Sequence, residues 1–354
     1  MLAPWYWLSL LLPEAGGVDA AHYAQFQGDP FIRSFFVLLG VNTYTILAAV
    51  LSYKSALAFV RSPWAAAASA FALVWASPLI YYGAIEPYMA HAVGTFTIAL
   101  ALWLYTRKPT PWFALGLTLS VAVLVRWQLA LLVIPLAVQL LWRRRWGSTM
   151  RLGVGLASLA WLVPLSWYQM FGTFLVVPAA VQNMSPFLGP PVHALDVLFS
   201  DKRGLFTWSP LTFLAVIGLI AMWRRHRGFA AVALVALALQ VLINGGVQDW
   251  AAGWSFGMRR LTELYPFLVV GLASLLAAQG WVRWPIWGIS AGLLCFSGIV
   301  LFAHLSYVNG VAGYGATMTE EVRYYLGALV DNPRLTWIVV KDHYGPWAWL
   351  KPGP

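Results

Sequence analysis

The chain has 354 residues, of which 61% are hydrophobic and only 10% are charged. About a quarter of the residues of a soluble domain are charged, so this composition excludes a water-soluble protein with a polar surface. The net charge is +10, and the single Cys295 excludes a disulfide framework. A basic chain could bind nucleic acid, but a basic membrane protein more often owes its charge to topology and to anionic lipids. We therefore expect membrane lipids as partners and no nucleic acid.

Long apolar runs recur along the chain and predict about ten membrane spans. Helices are expected because the runs lack the polar–apolar alternation of barrel strands. The predicted spans cover residues 35–60, 64–82, 88–105, 112–125, 128–142, 152–170, 205–222, 229–247, 260–279 and 284–303. The prediction is an all-α polytopic membrane protein with one transmembrane domain, 1–303, followed by a small non-cytoplasmic C-terminal segment, 304–354. In that segment, Thr317 and Glu320 have the spacing of a helix-capping box.

Residues 1–34 are predicted to form the first outer loop. Their first stretch, "MLAPWYWLSLLL", is short for a span and lacks the basic start of a signal peptide. Two interpretations stay open. The stretch is a helix lying in the membrane interface, with a span missing upstream of Met1; or it is a short first span with Met1 in the cytoplasm.

Basic residues concentrate in alternate loops, and the positive-inside tendency assigns these loops to the cytoplasm. They hold twelve of the 22 basic residues: Lys54, Arg61, Arg107, Lys108, Arg143, Arg144, Arg145, Arg151, Arg224, Arg225, Arg227 and Arg283. All twelve acidic residues, which the assignment does not use, fall on the other side. Chemistry that needs a carboxylate is therefore expected on the non-cytoplasmic face.

The first candidate cluster is Glu86, Tyr88 and His91 in "IEPYMAHAVG". Pro87 suits the first turn of a helix, so Glu86 could cap that helix and interact with its dipole. The functional alternative is an acid and a histidine that line a cavity at membrane depth, where ionisable groups usually serve function.

Two further clusters lie in predicted outer loops. Asp19 in "GGVDAAHYAQFQGDP" can accept a proton from a substrate hydroxyl, or it belongs to a solvated loop. Lys202 and Arg203 in "FSDKRGLFTWSP" can bind a lipid phosphate, or they anchor the chain at the interface.

The fourth cluster is "DWAAGWSFGMRRLTELYP", with Asp249, Arg259 and Arg260. Two arginines on an outer face need a partner, which is an anionic ligand or Glu263 about one turn along. Arg126 interrupts the apolar run "LVRWQLALLV" and must reach water, a headgroup or a counter-ion.

Cofactor signatures do not emerge from the sequence. The six His are scattered and no HExxH or paired-Cys spacing occurs. No Walker loop or dinucleotide fingerprint is present either. We therefore expect no bound cofactor and assign no metal ligand, although a divalent metal is not excluded.

Four segments together resemble the membrane glycosyltransferases of the GT-C fold, in the branch of the protein O-mannosyltransferases and the rhizobial lipopolysaccharide-core transferases. They are "IEPYMAHAVGTFTIALALWLY", "LVRWQLALLVIPLA", "FSDKRGLFTWSPL" and "WAAGWSFGMRRLTELYPFL". The resemblance implies a bundle of about 10–11 transmembrane helices with interfacial helices on the outer side. It also implies a sugar donor carried on a polyprenyl phosphate, and a glycan, lipid or protein acceptor.

The resemblance further implies an inverting transfer on the non-cytoplasmic face. Asp19 matches the catalytic acid of the family's first outer loop, unless that acid lies upstream of Met1. Either Asp19 or Glu86 would take the proton of the acceptor. The cations expected to stabilise the departing lipid phosphate are Arg126, Lys202, Arg203, Arg259 and Arg260. The remaining substrate-binding candidates are Tyr88, His91 and Asp249.

Two other functions remain compatible with the sequence. A transporter or flippase for a lipid-linked or anionic solute would predict inverted repeats and several polar mid-span residues, and neither is evident. An inactive or scaffolding member of the same fold would agree with the short amino end.

Overall fold

The structure is a computed structural model that describes residues 5, 31–87, 89–174, 189–253, 255–310 and 316–331. Within these ranges the chain is helical and contains no strand, which confirms the all-α prediction. Many large apolar side chains are exposed on the helices, among them Ile46, Phe71 and Met150. An exterior of this kind needs an apolar solvent, as the composition predicts.

Fifteen α-helices are labelled here in chain order. They are α1 (Phe31–Ala56), α2 (Pro63–Trp75), α3 (Pro78–Ile80), α4 (His91–Thr106), α5 (Trp112–Val125), α6 (Val133–Trp142), α7 (Trp146–Ala160), α8 (Leu162–Phe171), α9 (Ala194–Phe199), α10 (Leu205–Trp208), α11 (Leu211–Ala221), α12 (Trp223–Gly245), α13 (Tyr265–Leu276), α14 (Arg283–Gly310) and α15 (Met318–Asp331). A π-helix, Tyr81–Ile85, follows α3, and 3₁₀-helices precede α6 (Trp127–Leu132) and α13 (Arg259–Leu264).

In the described part of the chain, four helical segments are long and apolar enough to cross a membrane: Phe35–Ala56, Trp146–Phe171, Trp223–Gly245 and Arg283–Val308. A fifth span results if α2 and the segment Pro78–Ile85, bent by 67° to each other, count as one. The helices α4, α5 and α11 and the segment Trp127–Trp142 are apolar but shorter. The structure thus supports an all-α membrane protein, while the total of about ten spans stays a prediction.

Glycines bring two pairs of helices into close backbone contact. A Cβ atom at Gly116 of α5 would collide with the Leu152 carbonyl of α7, and one at Gly155 of α7 would collide with the Phe113 carbonyl of α5. Gly218 of α11 and Gly271 of α13 form a similar crossing. Small residues at such crossings are typical of helices packed in a membrane.

The bundle has two polar ends, and α4 runs from one to the other. His91 begins this helix of 16 residues and Arg107 follows its last residue, so the two are separated by roughly 24 Å. The next helix, α5, returns and ends at Val125, where Arg126 has extended backbone angles of φ −151° and ψ 112°. The chain thus leaves the helix at Arg126, between the predicted spans 112–125 and 128–142, and Arg126 and His91 share one end.

The predicted capping box is also present at the start of α15. The Thr317 backbone N–H donates to Glu320 Oε2 at 2.8 Å, and the Glu320 backbone N–H donates to Thr317 Oγ1 at 3.3 Å. This reciprocal pair starts the amphipathic helix α15, which packs against α14.

Candidate functional site

Three charged or polar side chains from distant segments meet inside the bundle and form the buried charge cluster: His91, Arg126 and Glu263. Glu263 Oε1 accepts a hydrogen bond from Arg126 Nη1. His91 Nδ1 lies 3.0 Å from the same oxygen and 2.8 Å from Arg126 Nη1. Glu263 is only 1% exposed, so its charge depends on these partners rather than on water.

The ion pair of the buried charge cluster is Arg126 with Glu263, and His91 is its polar neighbour. A guanidinium nitrogen only donates and a carboxylate oxygen only accepts. His91 Nδ1 lies within hydrogen-bond distance of both, so its role depends on the tautomer: it accepts from Arg126 Nη1 when unprotonated and donates to Glu263 Oε1 when protonated.

Local sequence makes room for the buried charge cluster. Gly94 lies one turn after His91, and a Cβ atom there would come within 2.9 Å of Glu263 Cγ. The hydroxyl of Thr95 donates to the His91 carbonyl at 2.8 Å and approaches the Thr262 carbonyl at 3.4 Å. These contacts fix the 3₁₀-helix of Arg259–Leu264 against α4. The cluster thus lies where α4 contacts the 3₁₀-helix that carries Arg259 and Arg260.

A second group of side chains lies beside the cluster, around Tyr82. Its hydroxyl accepts a hydrogen bond from the Phe256 backbone N–H at 2.9 Å and interacts electrostatically with Arg259 and with Glu86. The Tyr82 ring packs on His91 with a centroid distance of 5.2 Å. Arg259 also contacts Met89 Sδ at 3.5 Å. Tyr82 thus packs between the buried charge cluster and Phe256.

Glu86 and Arg259 lack counter-charges among the described residues. Glu86 is exposed, and no ion pair or hydrogen bond of its carboxylate occurs within that part of the chain. Arg259 is half-buried and forms no ion pair there. Its neighbour Arg260, in contrast, donates to the Asp249 carbonyl at 2.6 Å and to Asp249 Oδ2 at 3.1 Å.

Arg203 stands in a different environment. Its Nη1 donates to the carbonyls of Lys202 at 2.6 Å and Ala316 at 2.9 Å, and its guanidinium lies 4.6 Å from the Trp208 ring centre. It is 1% exposed, and burial lowers the pKa of its guanidinium, an effect that Glu321 opposes. Arg203 therefore joins the loop before α10 to the start of α15.

An aromatic layer connects these groups on the same end of the bundle. The Phe256 ring stacks on Tyr81 and packs edge-on against Trp208, with centroid distances of 5.1 and 5.5 Å. His304 lies against the same rings, and its Nδ1 lies 3.0 Å from Glu321 Oε2. Both members of this pair are buried. The layer gives the polar groups a rigid, apolar support.

The structure brings most of the predicted site residues to one end of the bundle. His91 and Arg126 belong to the buried charge cluster, Arg203 contacts Trp208 of the aromatic layer, and Arg259 contacts Met89, three residues after Glu86. Arg260 and Asp249 pair next to it, and Lys202 is exposed in the loop of Arg203. Asp19 and Tyr88 lie outside the described residues.

Two features differ from the alternatives that the sequence offered. Glu86 does not cap α4, because it ends the π-helix Tyr81–Ile85 and α4 begins only at His91. Glu263 pairs with Arg126 and His91 and not with the arginines one turn before it.

Sequence reasoning missed the central role of Glu263, and also Tyr82 and the pair of His304 with Glu321. The role of Glu263 could have been inferred from its position at the start of an apolar run, because a carboxylate at such a position needs a buried partner. Among the described residues no group of three or more His, Cys, Asp and Glu side chains is arranged to hold a metal ion.

Comparison of the chain with models of known protein families, with curated proteins and with solved structures finds no match.

Proposed function

We propose that the chain is an integral membrane glycosyltransferase that moves a sugar from a polyprenyl-phosphate donor to an acceptor on the non-cytoplasmic face. One observation carries this proposal. The Glu86 carboxylate and the Arg259 guanidinium lie at the same end of an apolar helical bundle, where Arg259 contacts Met89 three residues after Glu86, and neither has an ion-pair partner in the described ranges. Displacement of a lipid phosphate requires a base for the acceptor proton and a cation for the leaving group.

The proposed reaction is a single displacement. The acceptor hydroxyl attacks the anomeric carbon, and its proton passes to the Glu86 carboxylate while the new C–O bond forms. The bond between the anomeric carbon and the phosphate oxygen breaks, and the electron pair leaves on the polyprenyl phosphate. Arg259 stabilises the negative charge that grows on this leaving group. The anomeric configuration is inverted.

The other groups have supporting roles in this proposal. The buried charge cluster holds the 3₁₀-helix that carries Arg259, so His91, Arg126 and Glu263 act as positioning residues. Arg260 is neutralised by Asp249 and Arg203 is enclosed by carbonyls and Trp208. Arg259 and the exposed Lys202 are therefore the cations that remain for the phosphate. Asp19 stays a second candidate base.

The test uses purified protein in lipid vesicles with a panel of undecaprenyl-phosphate monosaccharides carrying a radiolabelled sugar. We expect release of undecaprenyl phosphate from at least one donor. Glu86→Gln should lower the rate by about 10²–10⁴-fold, and Arg259→Ala by about 10²–10³-fold. Asp19→Asn, measured in parallel, decides between the two candidate bases.

Two control variants test whether a lower rate comes from loss of a site residue or only from the change in the charge of the protein. Glu320→Gln removes an exposed carboxylate that caps α15, and Arg151→Ala removes an exposed cation on α7; both variants should keep the wild-type rate. Absence of release from every donor would refute the proposal, and movement of intact donor between vesicle leaflets would indicate a flippase instead. Unchanged rates in Glu86→Gln and Arg259→Ala would remove these two residues from the mechanism.

A further inference from the structure

A basic cavity lies at the end of the bundle opposite the candidate site. It has a volume of about 560 Å³ and is walled by the loop after α4, the end of α6 and the start of α12. Six cationic side chains line it: Arg107, Lys108, Arg143, Arg145, Arg225 and Arg227. By the distribution of basic residues, this end is the one predicted to face the cytoplasm.

The charges around the basic cavity are not neutralised by the protein. No carboxylate is among its lining residues, and none of the six cations forms an ion pair within the residues that the structure describes. All six are exposed. Cations gathered around one concave surface raise the local positive potential and attract an anion. The opposite end differs, because there Glu263 and Asp249 neutralise Arg126 and Arg260.

Hydrogen bonds and aromatic packing hold the floor of the basic cavity in place. The Tyr105 hydroxyl donates to Gln139 Oε1 at 3.2 Å, and the Gln139 amide donates in turn to the Gly228 carbonyl. Beneath them, the rings of Phe59 and Phe229 pack with a centroid distance of 4.3 Å. These contacts join α4, α6, α12 and the segment after α1. The cavity is therefore formed by the protein itself, without a ligand.

The path of α12 also shapes the basic cavity. His226 departs from helical angles, with φ −132° and ψ 45°. The chain before this kink carries Arg225, and the chain after it carries Arg227, so both arginines reach the same cavity. At Gly228 any side chain would collide with the Arg143 guanidinium. The glycine therefore lets that cation lie across the cavity wall.

Exposed tryptophans place the basic cavity at the level of lipid headgroups. Trp142 and Trp146 flank the arginines of the α6–α7 turn and are 87% and 66% exposed, and Trp223 is 43% exposed at the start of α12. Tryptophan is enriched where a membrane protein crosses the boundary between hydrocarbon and water. A ligand in this cavity is consequently within reach of the bilayer.

We propose that the basic cavity binds the headgroup of an anionic phospholipid that carries two phosphates. Basic pockets between membrane helices on the cytoplasmic side recognise such headgroups, and arginine pairs with phosphate oxygens through two parallel hydrogen bonds. Six cations exceed what one phosphodiester needs, which favours the doubly charged lipid over a singly charged one. This site is independent of the proposed glycosyl transfer.

The test measures equilibrium binding of radiolabelled diphosphatidylglycerol to the purified protein in neutral detergent micelles. We expect saturable binding of one lipid per chain, and weaker binding of phosphatidylglycerol. The triple variant Arg143→Gln, Arg145→Gln and Arg227→Gln should bind about 100-fold more weakly, because each cation near a headgroup phosphate contributes roughly fivefold.

A second triple variant controls for total charge. Arg61→Gln, Arg151→Gln and Arg224→Gln remove three exposed cations that are also predicted to face the cytoplasm but do not line the basic cavity. This variant should bind within about twofold of the wild type, since only lining cations contact the phosphates. Equal weakening of both triple variants would overturn the proposal in favour of diffuse attraction. Displacement of the lipid by inorganic phosphate or pyrophosphate at comparable affinity would overturn the assignment to a lipid headgroup.

Discussion

The buried charge cluster makes a quantitative prediction about stability. We consider Arg126→Gln, Glu263→Gln and the double variant. Arg126→Gln leaves a carboxylate whose side chain is only 2% exposed, next to His91. Breaking a buried ion pair in this way costs about 3–5 kcal/mol of the free energy of unfolding. Protonation of His91 can offset part of this cost, so we expect the lower half of that range.

Glu263→Gln should lower the free energy of unfolding by less than Arg126→Gln does. The remaining Arg126 side chain is 14% exposed, and a long cationic side chain can move its head toward water. We expect a loss of about 1–3 kcal/mol, the cost of an unsatisfied buried partner. In the double variant neither charge remains, so the loss should be smaller than the sum of the single losses by roughly 1–3 kcal/mol.

The assay is reversible unfolding in mixed micelles by titration with sodium dodecyl sulfate, followed by far-UV circular dichroism and tryptophan fluorescence. All four proteins are measured to complete the cycle. If the loss of stability in the double variant equals the sum of the two single losses within about 0.5 kcal/mol, Arg126 and Glu263 do not interact in the folded protein. A larger loss in Glu263→Gln than in Arg126→Gln would contradict the unequal exposure of the two side chains.

Three further predictions concern packing, the loop of Arg203 and topology. Gly155→Leu should lower the free energy of unfolding by about 1–3 kcal/mol, because the larger side chain keeps α5 and α7 apart. The control Gly153→Leu should stay within about 0.5 kcal/mol of the wild type in the same unfolding assay, because no atom lies within 4 Å of a Cβ atom at that position. Equal losses in the two variants would disprove the glycine crossing. Arg203→Met should lose about 1–3 kcal/mol, since it removes the Nη1 donor that serves both the Lys202 and the Ala316 carbonyl. Wild-type stability would show that those contacts contribute nothing. In a protein whose Cys295 is replaced by Ala, a cysteine at Trp146 should react with an impermeant thiol reagent only after the cells are opened, and reaction in intact cells would invert the predicted topology.

Part of the fold could be predicted because lipid leaves few choices. A chain with 61% hydrophobic residues must satisfy its backbone internally, and helices do so within each segment. The break at Arg126 was predictable for the same reason, because a charge in an apolar run must leave it. The exact helix lengths could not be predicted from the sequence. The run 128–142 begins as a 3₁₀-helix and becomes α-helical only at Val133, two residues before Pro135, where a proline is tolerated in a first turn.

The partners within the candidate site could be predicted less well. Sequence spacing offered Glu263 a partner one turn away, yet its partner Arg126 lies 137 residues away. Local periodicity carries no information about contacts of this separation. The cap at Glu86, one of the two alternatives that the sequence left open, is absent for a different reason. The π-helix Tyr81–Ile85 precedes Pro87 and delays the start of α4 to His91, and a π-helix has no clear signature in a single sequence.

The two ends of α4 carry similar numbers of cations but differ in how the protein compensates them. At the His91 end, carboxylates of the chain neutralise Arg126 and Arg260, while Arg259 has no ion-pair partner among the described residues. At the Arg107 end no described carboxylate contributes, and the full charge of the basic cavity remains for a ligand. A cation that is already paired gains little from a second anion, because binding must first offset the loss of the existing pair. In the two proposals, the first end would therefore hold its phosphate mainly through Arg259, and the second would hold its anion through several unpaired cations.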